Sequence, residues 1–250
     1  MDIDFQNSLI LDVLNYEQAR VADSLGLTAI RLISNRIDIK LIKNIKTNLN
    51  IPLIVKCHVG HSKEAKLLEY LDVDIIDENE NLKKKNDVYL CKIYFKKIFI
   101  NGVTNLGQVL RRYEDGSKVL IINGNSIKDI LKTKRRIYSN ISKFSGINYE
   151  TFSDNRDVIE FKNKENVRYE TIREVAKLED LLLPKIAECD SIDPLDISLL
   201  MENDFNGIIL TNKVFELDNV QEYLQNIKNI IRNSNDFELI SKTYESVYKL

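Results

Sequence analysis

Eight short apolar runs alternate with amphipathic stretches along this chain, and that alternation limits the folds open to it. The runs LILDV (9–13), TAIRLI (28–33), PLIVK (52–56), VDIID (73–77), KIFING (97–102) and KVLII (118–122) read as strands. LLLPKIAEC (181–189) ends one helix and enters a seventh strand, and NGIILT (206–211) is the eighth. Helical patterns lie between them. Asn15 caps a helix with Ala19, Ala22 and Leu25 on one face, stopped by Gly26. Ile39, Ile42 and Ile45 stay in register over 37–49, and Ser62 caps a helix burying Ala65, Leu68 and Leu71. Asn105 with Gln108 three residues on resembles a capping box for a helix through Tyr113, and another helix runs over 127–137. Asp193–Pro194 is an N-cap followed by proline at the first helical position. Val220, Tyr223, Leu224, Ile227, Ile230 and Ile231 make an amphipathic helix, and a last one carries Phe237, Ile240, Tyr244 and Val247. The pattern lapses over 138–170, which reads as a polar, irregular excursion. Eight strand–helix beats in 250 residues predict an α/β fold, a single-domain (β/α)8 TIM barrel over 1–250. A doubly wound sheet is the alternative, but no G-x-G-x-x-G loop follows any strand.

A formal net charge of −2 gives no general attraction to nucleic acid or to an anionic membrane. The lysine run in NLKKKND (81–87) reads as a solvated loop. No apolar run approaches the roughly 18 residues that a membrane span needs. The acidic start MDIDFQNS is unlike a targeting peptide, and three scattered cysteines fit a reducing compartment, so a cytoplasmic protein is expected. Eight glycines stand where average usage would give about 17, which leaves few places for backbone to wrap a phosphate.

In such a barrel the residues at strand C-terminal ends converge on one mouth. Asp12, Lys56 and Asp77 lie at such ends. A lysine in a dry pocket can attack a carbonyl to form an imine, and nearby carboxylates can move the protons that this chemistry requires. The same residues equally suit an ion pair that closes the mouth without turnover. Cys57, His58 and His61 invite a metal, but zinc needs about four ligands and no other histidine or paired cysteine completes a set; they read as structural, with no metal and no cofactor expected.

Three segments are more specific. LILDVLNYEQARVADSLG (9–26), IPLIVKCHVGHSKEAKLLEYLDVDIIDENE (51–80) and TNLGQVLRRYEDGSKVL (104–120) resemble the synthase subunit of the two-subunit pyridoxal 5′-phosphate synthase. DPLDISLLMENDFNGIIL (193–210) and VFELDNVQEYLQNI (214–227) are similar to it more loosely. The resemblance implies a TIM barrel assembled into rings. It implies condensation of a pentose 5-phosphate, a triose phosphate and ammonia from a partner glutaminase, through two lysines acting in relay. Lys56 matches the first lysine, and Asp12 and Asp77 match the strand-one and strand-four aspartates.

The departures from the family pattern cluster. Asn123 stands where the second lysine is expected, and an amide cannot form an imine. The glycine-rich phosphate loops after strands six, seven and eight are replaced, with Asp190 and Asn212 at the lost positions. The segment that engages the glutaminase is nearly absent ahead of Asp12, so that partner is doubtful. These losses imply a pseudoenzyme acting as a structural or regulatory partner of an active paralogous synthase subunit. The alternative is an active lyase-type synthase working through a Lys56 imine.

Overall fold

The computed structural model describes residues 3–34, 36–78 and 88–249; the lysine run at 81–87 lies outside them. Eight parallel strands form a closed barrel in chain order: β1 (Ser8–Val13), β2 (Ala29–Leu32), β3 (Leu53–Lys56), β4 (Ile75–Asp77), β5 (Ile98–Val103), β6 (Val119–Ile122), β7 (Lys185–Cys189) and β8 (Gly207–Leu210). The expected (β/α)8 barrel is the observed fold. Among the described residues ten helices surround it: α1 (Tyr16–Ser24), α2 (Ile39–Asn48), α3 (Ser62–Tyr70), α4 (Leu106–Glu114), α5 (Ile127–Ser145), α6 (Arg156–Glu165), α7 (Tyr169–Leu178), α8 (Pro194–Glu202), α9 (Val220–Arg232) and α10 (Phe237–Tyr248). None of the helices is long and apolar enough to cross a membrane.

The period of two in a strand divides the core. Ile10, Ala29, Ile54, Ile75, Ile100, Val119, Ile121, Ile186 and Ile209 pack against one another inside the barrel, with Phe5 from the segment leading into β1. Residues of opposite parity, such as Leu11, Ile30, Val55 and Ile76, pack outward beneath the helices. Two steps beyond Ile10, Ala29, Ile54, Ile75 and Ile186 come Asp12, Arg31, Lys56, Asp77 and Glu188. The barrel is therefore apolar in its middle and ionic at the C-terminal ends of its strands.

Two strand-to-helix turns share one device. The Asn15 side chain accepts the Gln18 N–H at 3.0 Å, while Gln18 Oε1 accepts the Leu14 N–H at 2.7 Å. Asn105 and Gln108 repeat this after β5, with Gln108 Oε1 reaching the Thr104 N–H at 2.6 Å. The glutamine thus grips the residue before the cap, one place earlier than in a capping box. The cap of α3 is His61 rather than Ser62: its Nδ1 accepts the Glu64 N–H at 3.2 Å, and Ser62 begins the helix.

The stretch 138–170 is largely helical, not irregular. The buried stripe of α5 continues past Ile137 through Ile141 and Phe144. Asn155 then caps α6, which buries only Val158 fully and sets Phe161 edge-on to Phe144 at 5.0 Å. So polar a helix leaves little periodic signal, and α6 and α7 end in left-handed Asn166 and Glu179 rather than in glycine.

Closure depends on one small residue. Gly207 pairs with Ser8 across the β1–β8 seam, where a Cβ would lie 1.8 Å from Ser8 Oγ and 2.6 Å from Ser8 O. Gly207→Ala is expected to cost about 3 kcal/mol, the upper end of overpacking. Gly146→Ala, with nothing within 4 Å of the added carbon, should be neutral to slightly stabilising. Equal urea midpoints for the two variants would contradict this account of the seam.

Candidate functional site

The ionic layer is centred on Arg31, whose side chain is wholly buried. Its guanidinium makes five hydrogen bonds, which satisfies every N–H it carries. Nε donates to Asp12 Oδ1 at 2.6 Å and Nη2 to Asp12 Oδ2 at 2.9 Å. Nη2 also donates to Glu188 Oε1 at 2.8 Å, and Nη1 to Glu188 Oε2 at 3.0 Å. The fifth bond runs from Nη1 to Asp77 Oδ2 at 3.1 Å, leaving Asp77 Oδ1 buried without a partner. β1, β2, β4 and β7 each contribute one side chain, so the cluster ties together strands that are not all neighbours.

The three carboxylates differ because their surroundings differ. Burial pushes Asp77 up to about 6, more than Arg31 and Lys56 pull it down. Asp12 is also raised, burial outweighing Arg31. Glu188, whose side chain is 31% exposed at the rim, feels burial too, but Arg31 and Lys56 together hold it below the usual glutamate range. Asp77 is the weak member on geometric grounds as well, with a single long bond where the others have two short ones.

Sequence reasoning placed Asp12, Lys56 and Asp77 at one mouth, and the structure brings them together there. Lys56 is half-buried and lies opposite Asp77 in the β3–β4 register. Its charge is felt by all three carboxylates, yet no described residue forms an ion pair or hydrogen bond with its ammonium. The mouth is held by ions, as one of the two sequence readings allowed, but the cation that holds it is Arg31. Neither Arg31 nor Glu188 was singled out by the sequence. The usable signal for Arg31 was a charge inside the apolar run TAIRLI, on the inward parity of Ala29.

The positions matched to lost phosphate contacts lie around this layer. Asn123 follows β6, and its N–H donates to the Val103 carbonyl at 3.0 Å. Asp190 is exposed beyond β7, 4.0 Å from Lys213 Nζ. Asn212 opens a 3-10 turn after β8. Burial raises both Cys57 and Cys189 to about 12, which keeps them protonated and unreactive. The histidines organise the start of α3, His61 as its cap and His58 Nδ1 at 2.9 Å from the Glu64 carboxylate.

A second buried network, also missed in the sequence, fixes the loops beside the mouth. Glu78 accepts the N–H groups of Gly60 at 3.0 Å and Leu90 at 2.8 Å, and lies 2.7 Å from Lys92 Nζ. Asn101 Nδ2 donates to the Glu78 carbonyl at 2.7 Å. Gly60 has φ +73°, and a Cβ there would meet the Val88 carbonyl oxygen at 2.5 Å. Glu78 thereby holds the β3–α3 loop against the segment that returns to β5.

Two outcomes follow from these charges. Arg31→Met should destabilise the fold by about 3–5 kcal/mol, because it strands buried carboxylates, and denaturant unfolding reads this directly. The raised Asp77 stabilises the fold while protonated; that contribution is complete below its ordinary value of 3.8 and is lost as pH rises through about 6. Asp77→Asn, permanently neutral, should therefore gain stability relative to the wild type as pH goes from about 4 to about 7 and level off above. A difference that stays flat across that range would show that Asp77 is not the titrating member.

Two solved structures share the fold: thiamine phosphate pyrophosphorylase from Pyrococcus furiosus, with TM-score 0.58 and 13% identity over 93% of this chain and 98% of that one, and N-(5′-phosphoribosyl)anthranilate isomerase from the same organism, with TM-score 0.54 and 12% identity over 89% and 98%. Closer in sequence are proteins named pyridoxal 5′-phosphate synthase subunit PdxS. That of Methanococcus aeolicus is 27% identical over 97% of this chain and 87% of its own length. Those of Bacillus cereus and Staphylococcus epidermidis are 25% and 26% identical, over 94% and 95% of this chain and 84% of their own. The sequence model of the SOR/SNZ family matches residues 3–188, the stretch that contributes Asp12, Arg31, Lys56, Asp77 and Glu188, and the chain belongs to that family.

Proposed function

We propose that this chain is a degenerate pyridoxal 5′-phosphate synthase subunit that serves vitamin B6 synthesis as a structural or regulatory partner of an active paralogous subunit. The observation that carries this reading is the engagement of Asp12 and Asp77 by Arg31. Carboxylates that relay protons around an imine must reach the reacting atoms, and here Asp12 gives both oxygens to Arg31 while Asp77 gives one and has the other buried without a partner. Asn123 adds to this, since an amide at the end of β6 offers no second nucleophile. The apolar packing of the barrel and its helices is intact, so the outer surface that neighbours would contact is still presented.

One observation favours the second reading, an active lyase-type synthase. The Lys56 ammonium has no partner among the described residues and is half-exposed. Once deprotonated, its nitrogen can add to an aldehyde, and loss of water from the carbinolamine leaves an imine.

The two readings separate by assay. The purified chain is incubated with ribose 5-phosphate, glyceraldehyde 3-phosphate and ammonium chloride, and pyridoxal 5′-phosphate is followed by its absorbance. No product is expected, either from the wild type or from Asn123→Lys, because one restored lysine does not rebuild the phosphate loops. Co-expression with an intact paralogue should give mixed rings whose activity follows the ratio of the two chains. Synthesis of the vitamer by this chain alone, or chains that never co-purify, would sink the proposal.

A further inference from the structure

Arg31 heads the wholly buried side chains by volume, and it is held by an arrangement more specific than an ordinary ion pair. Asp12 and Glu188 each present both oxygens to two nitrogens of the guanidinium. Side-by-side pairing of this kind matches the planar fork of a guanidinium, which an ammonium or a metal ion cannot reproduce. Asp77 closes the remaining edge and keeps one oxygen, fully buried, with no partner. The three acceptors come from β1, β4 and β7, so the barrel positions them independently of the strand that carries Arg31. Ile54, Ile75 and Ile186, one inward step below Lys56, Asp77 and Glu188, give the pocket an apolar floor.

We propose that the barrel mouth is a guanidinium-binding site occupied in cis by Arg31, which acts as an internal ligand that shuts the mouth to external solutes. Tethering on β2 makes occupancy intramolecular, so a free solute competes against a high local concentration of the guanidinium. Without the tether, the preformed carboxylates take up a free alkylguanidinium. The inference does not depend on any reading of vitamin synthesis, since it concerns only what fills the mouth.

The test is chemical rescue in the full chain. Arg31→Ala is melted with increasing low-millimolar methylguanidinium or ethylguanidinium. Equal concentrations of ethylammonium, urea and sodium chloride serve as controls. The alkylguanidinium ions should raise Tm by several degrees along a saturable curve, the controls should not, and the wild type should be unmoved. Calorimetric titration should give one site per chain, weakened several-fold when Glu188→Gln or Asp77→Asn is added. Trapping of glycolaldehyde on Lys56 with cyanoborohydride should be several-fold faster in Arg31→Ala than in the wild type, and slow again with methylguanidinium. If Arg31→Ala is unfolded in buffer, recovery of its helical circular dichroism with methylguanidinium becomes the readout. Arg31→Lys, which keeps the charge but lacks the fork, is then the folded comparison and should trap faster than the wild type. A response equal to that of sodium chloride, a response also seen in the wild type, or no response at all would overturn the proposal.

Discussion

A guanidinium with all five of its donors satisfied sits where the strands of this barrel converge. A buried arginine is tolerable only when its charge is matched and its N–H groups are paired, and one missing acceptor strands a donor in a low-dielectric interior. Asp12, Asp77 and Glu188 must therefore arrive together, from strands far apart in sequence. Parallel pairing brings them to one level, because the period of two that turns Ile10, Ile75 and Ile186 inward turns the next inward residue upward into the ionic layer. Register and charge thus constrain each other. A slip of one residue in β1 would bury Leu11 or Val13 in the cluster and push Asp12 beneath the helices.

The ionic layer and the Glu78 network divide the work of holding the mouth. The first lies inside the barrel and fixes strand ends to one another. The second lies beside it and fixes loops to strands, through backbone N–H groups of Gly60 and Leu90. Lys56 stands between the two, on the strand whose following loop Glu78 grips and opposite the aspartate that Arg31 holds. Its place is well defined although its ammonium forms no ion pair or hydrogen bond with a described residue.

The barrel was legible in the sequence because its signals are local. Apolar runs, the paired Asn-x-x-Gln caps and Asp193–Pro194 each report on their own element, and every strand was found within a few residues. Asp12, Lys56 and Asp77 were legible because they end their strands. Glu188 was not, because its role appears only when it meets Arg31 across 157 positions, and its neighbour Asp190 departs more visibly from the family pattern. Arg31 sits in an apolar run whose period marks a strand, and only its charge on the inward parity sets it apart. The α6 helix is hard to see in the sequence because it is polar along most of its length and only Val158 is fully buried.

The seam between Ser8 and Gly207 has a consequence for how the molecule is made. β1 leaves the ribosome before the other seven strands, and its partner β8 emerges about 200 residues later, on the order of 10–40 s at usual elongation rates. Until then β1 presents an open edge, and Arg31 has only two of its three carboxylates, because Glu188 is still to be synthesised. The nascent barrel therefore carries one unpaired strand edge and an incompletely neutralised cluster until β7 and β8 are made. Non-local closure of this kind is slow and exposes sheet edges to other chains. A ring that closes only when β8 arrives keeps both edges of its seam exposed until the last strand is in place.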